Sequence, residues 1–591
     1  MFVTDSSAAS GRLLLTWGIG LNFVLSLASG IDAAERPNVV LILTDDQGFG
    51  DLGVHGNPKI ATPQLDRFVS QSVALRHFCV SPVCSPTRAS LLTGRYHFRT
   101  GVLDTINARA MLDSREVTLA EMLQTVGYHT AMFGKWHLGD NYPLRPIDQG
   151  FDEVLRHRGG AIGEPEVDVP DNKYFDPVLW HNGKKKRKKG YCTDIFTDAA
   201  IEFIRQNRKE PFFVYLAYNC PHLPLVAPQH HYRRYKQMDL GPNGFPQIGQ
   251  PLPAQLPEDK IARVYGMVTS IDDNLGRLLS TLDQLGLSHN TIVVFLSDNG
   301  PQQPRYNGGL RGLKASVYEG GIRVPCFVRW PARLAAGAKV QAMAAHIDLV
   351  PTLLEMCSVS PPSEVKIDGV SLMRLLEGQT EAAPQRTLFF QWHRGSQPQR
   401  YRSFAVRTHR YKLVQAEGAW PGWQDTNPSF QLFQISADPY ELHDIAMQHP
   451  EIVTQLRTAY DQWFDELMRP EGFRPPRISL GTVAENPSTL TRQDLQLSGE
   501  GYSEREVGFW DVLVAREGRY EITLHFPQLS NRANATFQLG KATRSQPIPQ
   551  SSTSVCFKSV TLPPGPARLR AWISEDKQRR GVSYVDTKRL D

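Results

Sequence analysis

One short segment combines a cysteine, a proline and an arginine in a spacing that suits an anion-binding site. Residues 84–88 read Cys-Ser-Pro-Thr-Arg, and the segment continues to Arg95. Proline is well tolerated in the first turn of a helix, so Pro86 predicts a helix that begins with Cys84 at its amino-terminal end. Free N–H groups and the helix dipole favour an anion there and should make the Cys84 thiol acidic, with Arg88 one turn further on. A buried cysteine at the start of a helix is the alternative interpretation.

Four oxygen-bearing side chains follow two apolar runs that are far apart in the sequence. Asp45 and Asp46 come directly after one run, and Asp298 and Asn299 come after another. If the two runs are neighbouring strands, three carboxylates and an amide converge at one point. No cysteine or histidine lies beside either pair in the sequence. Such ligands suit Ca²⁺ or Mg²⁺ rather than zinc. Each pair alone is more typical of a strand-end cap or a turn, whereas the two pairs together predict a metal site.

Basic and imidazole side chains follow further apolar runs in the same way. Lys135 and His137 come after a third run, His222 comes after a fourth, and Lys314 lies in a segment with several glycines that would allow close approach to a ligand. A single lysine is most often a surface residue, and a single histidine is more often structural than catalytic. Their shared position at the ends of predicted strands favours a common site.

The elements that must position these residues alternate along the chain. Amphipathic helices are predicted at residues 118–127 and 261–285 from helical periodicity and capping residues. The alternation predicts an α/β fold with a mainly parallel sheet covered by helices on both faces, which binds ligands beyond the carboxyl ends of its strands. Short apolar runs predict the strands, at residues 39–43, 128–133, 212–218, 292–296 and 326–330.

The pattern changes to β-rich segments after about residue 380. Residues 381–475 are predicted to form a smaller subdomain with an antiparallel sheet and a helix near residues 450–468, attached to a catalytic domain at residues 35–380. Residues 481–591 follow a proline-rich link and predict a β-sandwich. Carbohydrate binding is one candidate role for this sandwich, through aromatic residues. Alternating positions in the strands favour a core role for the same residues, which are Trp510, Tyr520 and Trp572.

Composition describes a globular protein with an export signal. A length of 591 residues predicts two to three domains, and a composition of 41% hydrophobic and 21% charged residues is typical of a soluble globular protein. Residues 1–34 contain Arg12, a short apolar stretch and then small residues, so they predict a signal peptide and no stable membrane span. We therefore expect export to the periplasm or the extracellular space, or to the lysosome in a eukaryote. A retained N-terminal tether is the alternative.

Charge and cysteine usage narrow the range of partners. The formal net charge is +5, and the run at residues 184–189 alone carries six positive charges, so the rest of the chain is close to neutral. A nucleic-acid partner is not expected. A solvated loop tip is the first interpretation of the run, and a patch that grips a polyanionic substrate is the second. The seven cysteines lack zinc-type spacing, allow one or two disulfides, and leave an odd thiol that Cys84 can supply.

All of these segments resemble blocks of one enzyme family. The Cys-x-Pro-x-Arg core at Cys84 resembles the maturation signature of the type I, formylglycine-dependent sulfatases, which include the arylsulfatases, and the resemblance extends from about Arg36 to the low 470s. It implies an alkaline-phosphatase-like α/β fold. It also implies that a formylglycine-generating enzyme oxidises Cys84 to 3-oxoalanine (formylglycine). Thr87 is the one mild departure, since many members have serine there.

The resemblance assigns roles by position. It implies hydrolysis of sulfate monoesters through a formylglycine hydrate nucleophile and a covalent sulfo-enzyme. In this scheme His222, aided by Lys314, protonates the leaving oxygen, and His137 accepts a proton. The implied substrate is a sulfated glycan (a sulfated carbohydrate) or a sulfated small molecule such as an aryl sulfate. The implied catalytic residues are Cys84, Arg88, Lys135, His137, His222 and Lys314. One Ca²⁺ per chain would be bound by Asp45, Asp46, Cys84, Asp298 and Asn299.

Two other functions stay open at this stage. A phosphomonoester or phosphodiester hydrolase of the same fold would need a second metal-binding set, and the only candidate, His346 with Asp348, is better interpreted as the start of a helix. A secreted carbohydrate-binding protein with an inactive hydrolase domain is the other alternative, and the intact set of polar residues argues against it. Loops at residues 156–171, 184–189 and 229–256 are predicted to select the substrate.

Overall fold

The computed structural model describes most of the chain beyond the predicted signal segment. The described residues are 36–164, 172–424, 427–499, 503, 505–529, 532–575 and 578–591. The predicted signal peptide at residues 1–34 and part of the predicted substrate loop at residues 156–171 lie outside these ranges. Within them, none of the helices has both the length and the apolar composition that a membrane-spanning helix requires.

A ten-stranded sheet forms the centre of the molecule, as the alternating pattern predicts. The spatial order is β10-β2-β9-β8-β1-β7-β3-β4-β5-β6, and the five adjacent strands from β8 to β4 are all parallel. The strands are β1 (Asn38–Thr44), β2 (Val73–Cys79), β3 (His129–Gly134), β4 (Glu153–Arg156), β5 (Val178–His181), β6 (Lys184–Arg187), β7 (Phe212–Ala217), β8 (Thr291–Ser297), β9 (Cys326–Arg329) and β10 (Lys339–Ala345).

Two strands differ from the sequence interpretation. β9 is antiparallel to both of its neighbours, β2 and β8. The chain stays at the carboxyl edge of the sheet after β8, where the Gly300 N–H donates to the Gly321 carbonyl, and so it must enter β9 from that edge. The basic run at residues 184–189 is not a simple loop tip, because β6 pairs with β5 as an exposed edge strand. Lysines on an edge strand oppose pairing with another chain.

Helices cover both faces of the sheet because its central strands are apolar on both sides. In β1, Val39, Leu41 and Leu43 pack into the core on one face, and Val40 and Ile42 pack into the core on the other. The helices are α1 (Pro63–Ser70), α2 (Cys84–Thr93), α3 (His97–Thr100), α4 (Leu119–Gln124), α5 (Cys192–Gln206), α6 (Gln229–Lys236), α7 (Glu258–Gln284), α8 (Glu319–Ile322), α9 (Leu349–Met356), α10 (Met373–Leu376) and α11 (Pro450–Leu467).

A smaller antiparallel sheet follows the central sheet in the chain. Its strands are in the order β11 (Leu388–Gln391), β12 (Phe404–Arg407), β13 (Lys412–Gln415) and β14 (Gln431–Phe433), and α11 packs against it. Buried ion pairs join this sheet to α8, since Glu319 lies 3.2 Å from Arg407 and 3.1 Å from Lys412. Glu319 therefore helps to hold α8 against this sheet.

Two further sheets form the C-terminal β-sandwich. One has the order β15-β17-β22-β19-β20, with β23 on β22, and the other has the order β16-β24-β18-β21. Trp510, Tyr520 and Trp572 are buried, so the core interpretation of these aromatic residues is confirmed. The strands are β15 (Ile478–Leu480), β16 (Ser488–Thr491), β17 (Trp510–Val514), β18 (Gly518–His525), β19 (Ala533–Leu539), β20 (Ala542–Pro547), β21 (Ser554–Leu562), β22 (Gly565–Glu575), β23 (Gln578–Gly581) and β24 (Tyr584–Arg589).

Candidate active site

The two acidic pairs meet because their strands are neighbours. β1 and β8 are parallel and in register, with Thr44 beside Ser297, so Asp45 and Asp298 leave the sheet side by side. The Asp298 N–H donates to the Thr44 carbonyl at 3.0 Å, and the Asp45 N–H donates to the Cys220 carbonyl at 3.1 Å. The sequence prediction of one convergent oxygen cluster is confirmed.

The cluster has the properties of a site for a hard cation. Asp46 adopts a left-handed backbone with φ of 65°, and its N–H donates to Asp298 Oδ1 at 3.2 Å, which turns its carboxylate toward the other acids. Asp45 Oδ1, Asp46 Oδ2 and Asn299 Oδ1 are buried and accept no hydrogen bond from the described residues. Buried oxygens without partners are costly unless another group satisfies them. The donor set is therefore compatible with a divalent metal ion.

Three cations, two of them fully buried, balance the three carboxylates. Lys135 Nζ lies 2.7 Å from Asp45 Oδ2, and Lys314 Nζ lies 2.6 Å from Asp46 Oδ1. Arg88 donates to Asp298 Oδ2 from both Nε, at 3.2 Å, and Nη2, at 2.8 Å. Burial alone would raise the pKa of Asp45, but Lys135, His222 and Arg88 outweigh it and hold that pKa well below its usual value.

Cys84 begins α2 at the edge of this cluster, as the position of Pro86 predicts. Its Sγ lies 3.4 Å from His137 Nδ1, and its sulfur, Asp45 and Asp298 offer ligand atoms within 4.8 Å of one another. The prediction of an acidic thiol is wrong. Burial raises the pKa of Cys84, Lys135 and Lys314 oppose that rise, and the nearby carboxylates add to it. An unmodified thiol is therefore a poor nucleophile here.

His137 faces residue 84 in a constrained orientation. Its Nε2 lies 2.8 Å from the Thr105 carbonyl oxygen, which assigns the proton to Nε2 and leaves the Nδ1 lone pair directed at Cys84. Its backbone φ is 59°, and a Cβ on Gly160 would lie only 2.4 Å from the ring. Burial, followed by the charge of Lys135, lowers the pKa of His137 well below its usual value. The ring is therefore neutral, with an unprotonated Nδ1 facing residue 84.

His222 lies on the opposite side of the acidic cluster. Its Nδ1 is 2.8 Å from the Leu223 carbonyl oxygen, and its Nε2 is 3.8 Å from Asp46 Oδ2. Burial lowers the pKa of His222, Asp45 opposes that effect and Lys314 adds to it. A proton on His222 Nε2 would face both the cluster and the cavity.

A cavity of about 300 Å³ opens over the cluster, and all the predicted site residues lie in it or directly beneath it. Cys84, His137, His222 and Lys314 line the cavity. The supporting residues are fully buried below, namely Asp45, Arg88, Lys135, Asp298 and Asn299. The remaining lining residues are Val83, Thr105, Ile106, Gly160, Ala161, Glu164, Leu223, Gln302, Ala315, Trp392, Arg394, Trp420 and Gln493.

Several of these residues escaped the sequence analysis. Trp392, Arg394 and Trp420 come from loops of the smaller sheet, and Gln493 comes from the sandwich. The ion pair of Arg305 with Asp51 supports the segment after β1, because Arg305 donates to Asp51 and also to the Asp46 carbonyl at 2.9 Å. Asp51 was a detectable signal, since it ends a Gly-x-Gly-Asp segment that directly follows Asp46 and Gln47.

The second metal set of the phosphatase alternative does not form in the described part of the chain. His346 is bonded to Ser81, and Asp348 is paired with Arg386. Both residues lie at the start of α9, as the sequence predicts. The two metal-capable groups among the described residues both contain Asp45 and belong to the same cluster. All seven cysteines lie within the described residues and no disulfide joins any two of them, so none of the disulfides that the sequence allowed is formed.

Comparison with known proteins assigns the chain to a family. The family model described as Sulfatase matches residues 37–359, and the model of the N-sulphoglucosamine sulphohydrolase C-terminal region matches residues 313–466. N-acetylgalactosamine-6-sulfatase of Mus musculus is 34% identical over 64% of this chain and 72% of its own length. Arylsulfatase A of Homo sapiens is 32% identical over 74% of this chain and 90% of its own length.

Solved structures show the same fold. Ps i-CgsB matches with a TM-score of 0.64 and 26% identity over 74% of this chain and 95% of its own. A phosphonate monoester hydrolase of Agrobacterium radiobacter matches with a TM-score of 0.51 and 18% identity over 75% of this chain and all of its own, which shows a shared fold alone. The predicted alkaline-phosphatase-like fold is confirmed. The chain belongs to the sulfatase family and is a sulfuric ester hydrolase.

Proposed function

We propose that this enzyme hydrolyses sulfate monoesters of carbohydrates with a formylglycine at position 84 and one bound Ca²⁺. The observation that carries the proposal is the position of residue 84, which lies between the acidic cluster, His137 and the cavity. Every other residue that the family resemblance assigns to catalysis surrounds it.

Calcium is the metal that the donor set favours. Asp45, Asp46, Asp298 and Asn299 would hold it together with residue 84, and three of their oxygens are buried without a hydrogen-bond partner among the described residues. Hard oxygen ligands of this kind select Ca²⁺ or Mg²⁺, and a site of five or more protein ligands suits Ca²⁺ better. When bound, the ion would withdraw charge from the sulfate oxygens and from the hydroxyl of residue 84.

The burial of Cys84 bears on how the modification is made. The side chain is 2% exposed and all ten residues of α2 are buried. A second protein cannot reach the thiol in the folded chain, so the formylglycine-generating enzyme must act before folding is complete. The hydrated aldehyde would then supply the attacking oxygen and, through its second hydroxyl, release sulfate from the covalent sulfo-enzyme.

The chain's own groups divide the remaining work by position. Lys314, which lines the cavity, would bind a sulfate oxygen, and Lys135, buried beneath it beside Asp45, would add positive charge that stabilises the transition state. His222, whose Nδ1 donates to the Leu223 carbonyl, would donate the proton of its Nε2 to the leaving oxygen when the ring is doubly protonated. His137 Nδ1 would accept the proton from the hydroxyl of residue 84 as sulfate leaves.

The cavity wall favours a carbohydrate as the sulfated substrate. The Arg394 guanidinium lies 5.3 Å from the Trp392 ring and 5.5 Å from the Trp420 ring, so aromatic faces and a cation stand together beside the site. A groove of about 1100 Å³ continues outward and shares Lys314 and Trp420 with the cavity, which leaves room for further sugar units. One structural relative, 27% identical, is a complex with k-i-k-neocarrahexaose, a hexasaccharide.

Sulfate release from defined substrates tests the proposal directly. We expect the purified enzyme to release sulfate from sulfated oligosaccharides and from aryl sulfates, and the peptide containing residue 84 to have the mass of the aldehyde. A fully active enzyme with an unmodified thiol would contradict the formylglycine proposal. Faster hydrolysis of phosphate monoesters than of any sulfate ester would favour the phosphatase alternative.

A further inference from the structure

One turn of the C-terminal sandwich reaches the active-site cavity. Gln493 lies between β16 and β17, is 3% exposed, and lines the cavity together with Cys84 and His137. The two family models end at residues 359 and 466, so this contact comes from a part of the chain that neither model includes.

The Gln493 side chain bonds the group that orients His137. Its Nε2 donates to the Thr105 carbonyl oxygen at 2.7 Å and lies 3.4 Å from His137 Nε2. The same carbonyl oxygen accepts the hydrogen bond from His137 Nε2 at 2.8 Å. Since that bond fixes the tautomer of the ring, Gln493 helps to keep the His137 Nδ1 lone pair directed at residue 84.

The sandwich also holds the loop that carries Thr105. The Ala108 N–H donates to the Gln493 carbonyl at 3.0 Å. Ala108 and Met111 are buried in the hydrophobic core of the sandwich itself. The sandwich therefore holds this loop at the Thr105 carbonyl itself and at two positions that follow it in the chain.

Partly buried polar contacts attach the sandwich to the rest of the molecule. Arg158 Nη2 donates to the Thr489 carbonyl at 2.8 Å, and the Tyr142 N–H donates to Glu485 Oε2 at 2.9 Å. The Ser479 N–H donates to the Tyr142 carbonyl at 3.0 Å. These bonds fix the sandwich against the wall of the cavity, whereas a flexibly tethered module would lack them.

We propose that Gln493 is a positioning residue for His137 and that the sandwich completes the active site. This inference rests on the proposed function for the role of His137. It gives the sandwich a function in sulfate release that requires no glycan binding of its own.

Substitution of Gln493 in the full-length enzyme tests the inference. Gln493→Met keeps the length of the side chain but removes the donor, and we expect kcat to fall about tenfold to 100-fold with KM unchanged. Gln493→Glu places an oxygen against the Thr105 carbonyl and should lower kcat at least as much. The matched control is Gln496→Met, because Gln496 is buried in the same domain and donates to Asp511 at 3.0 Å, outside the cavity. We expect its kcat to equal that of the parent enzyme.

A second readout separates this inference from the proposed function. In protein labelled with ¹⁵N-histidine, the His137 ring should carry its proton on Nε2 in the parent enzyme and in Gln496→Met, and should populate both tautomers in Gln493→Met. This measurement does not depend on activity. A parent enzyme that releases no sulfate from any ester would overturn the proposed function alone. If Gln493→Met keeps the kcat and the His137 tautomer of the parent enzyme, the positioning role alone is overturned. If Gln493→Met and Gln496→Met lose kcat equally, the role of Gln493 is only structural.

Discussion

The floor and the wall of the active-site cavity are built in different ways. The floor consists of fully buried charged residues at the carboxyl ends of parallel strands, among them Asp45, Lys135 and Asp298. The wall comes from loops of the smaller sheet and from the sandwich, and it includes the aromatic side chain of Trp420, which is 58% exposed. The floor fits the sulfate group, which every substrate shares, whereas the wall contacts the rest of the substrate. Changes in the floor, or in the sandwich residue that supports it, should therefore affect kcat for all substrates, and changes in the loops of the smaller sheet should affect KM selectively.

The largest effect is expected at the centre of the floor. Cys84→Ser leaves a hydroxyl that can be sulfated but has no second hydroxyl to release the sulfate, so we expect no multiple turnover. Intact-mass measurement after incubation with substrate should show one added sulfate per chain. Cys556→Ser is the matched control, since this partly exposed cysteine lies in the sandwich away from the cavity. Sustained turnover by Cys84→Ser would contradict the release step.

Removal of the metal is the next largest expected effect on the floor. Chelation should abolish sulfate release and lower the melting temperature, because it leaves the carboxylates of Asp45, Asp46 and Asp298 close together without their cation. An ion at 100 times its Kd contributes about 2.7 kcal/mol to the free energy of unfolding. Calorimetry with and without added Ca²⁺ measures this shift.

A variant of the cluster provides the control for the metal experiment. Asp45→Asn should have a melting temperature that no longer responds to Ca²⁺, whereas the parent protein responds. Elemental analysis should find one calcium per chain in the parent protein. Two zinc ions per chain, or full activity in the presence of a chelator, would contradict the calcium proposal.

A change in the wall should discriminate between substrates. Trp420→Ala removes an exposed aromatic face beside Arg394. Contacts of aromatic rings are worth about 0.5–1.5 kcal/mol, so we expect KM for a sulfated oligosaccharide to rise roughly two- to tenfold. The same variant assayed with a small aryl sulfate is the control and should show a smaller rise, because that substrate fills the cavity but not the outer groove that Trp420 also lines. An equal rise of KM for both substrates would contradict the division between floor and wall.

The same division explains what could be predicted from the sequence. The floor residues follow apolar strands directly, so strand adjacency alone brings Asp45 and Asp298 together. The wall depends on packing between distant segments, and Gln493 contacts His137 from 356 positions away. No local pattern reports such a contact.

The errors of the sequence analysis have physical causes as well. The direction of β9 depends on where the chain enters the sheet, which its apolar pattern does not encode. The expected acidity of Cys84 considered the helix dipole but not burial, which has the larger effect. The signal peptide, the formylglycine and the identity of the metal stay predictions, because they depend on processing and ligands that are added to the chain.

The smallest expected effect on sulfate release lies behind the wall, at Asp494 of the sandwich. Burial, followed by the charge of Asp140, raises the pKa of Asp494 to about 7 in the folded protein, although Arg158 and Arg156 oppose the rise. An unfolded chain has an aspartate pKa near 3.9, so between these values the folded state binds more protons. This contribution to stability is fully present below the unfolded pKa and is lost as the pH rises through about 7. Asp494→Asn should remove up to a few kcal/mol of that pH dependence, measured by urea unfolding between pH 4 and pH 8, and should leave kcat near the parent value. A parent protein whose free energy of unfolding rises steadily over this range, with the same slope in Asp494→Asn, would show that Asp494 is ionised in the folded state.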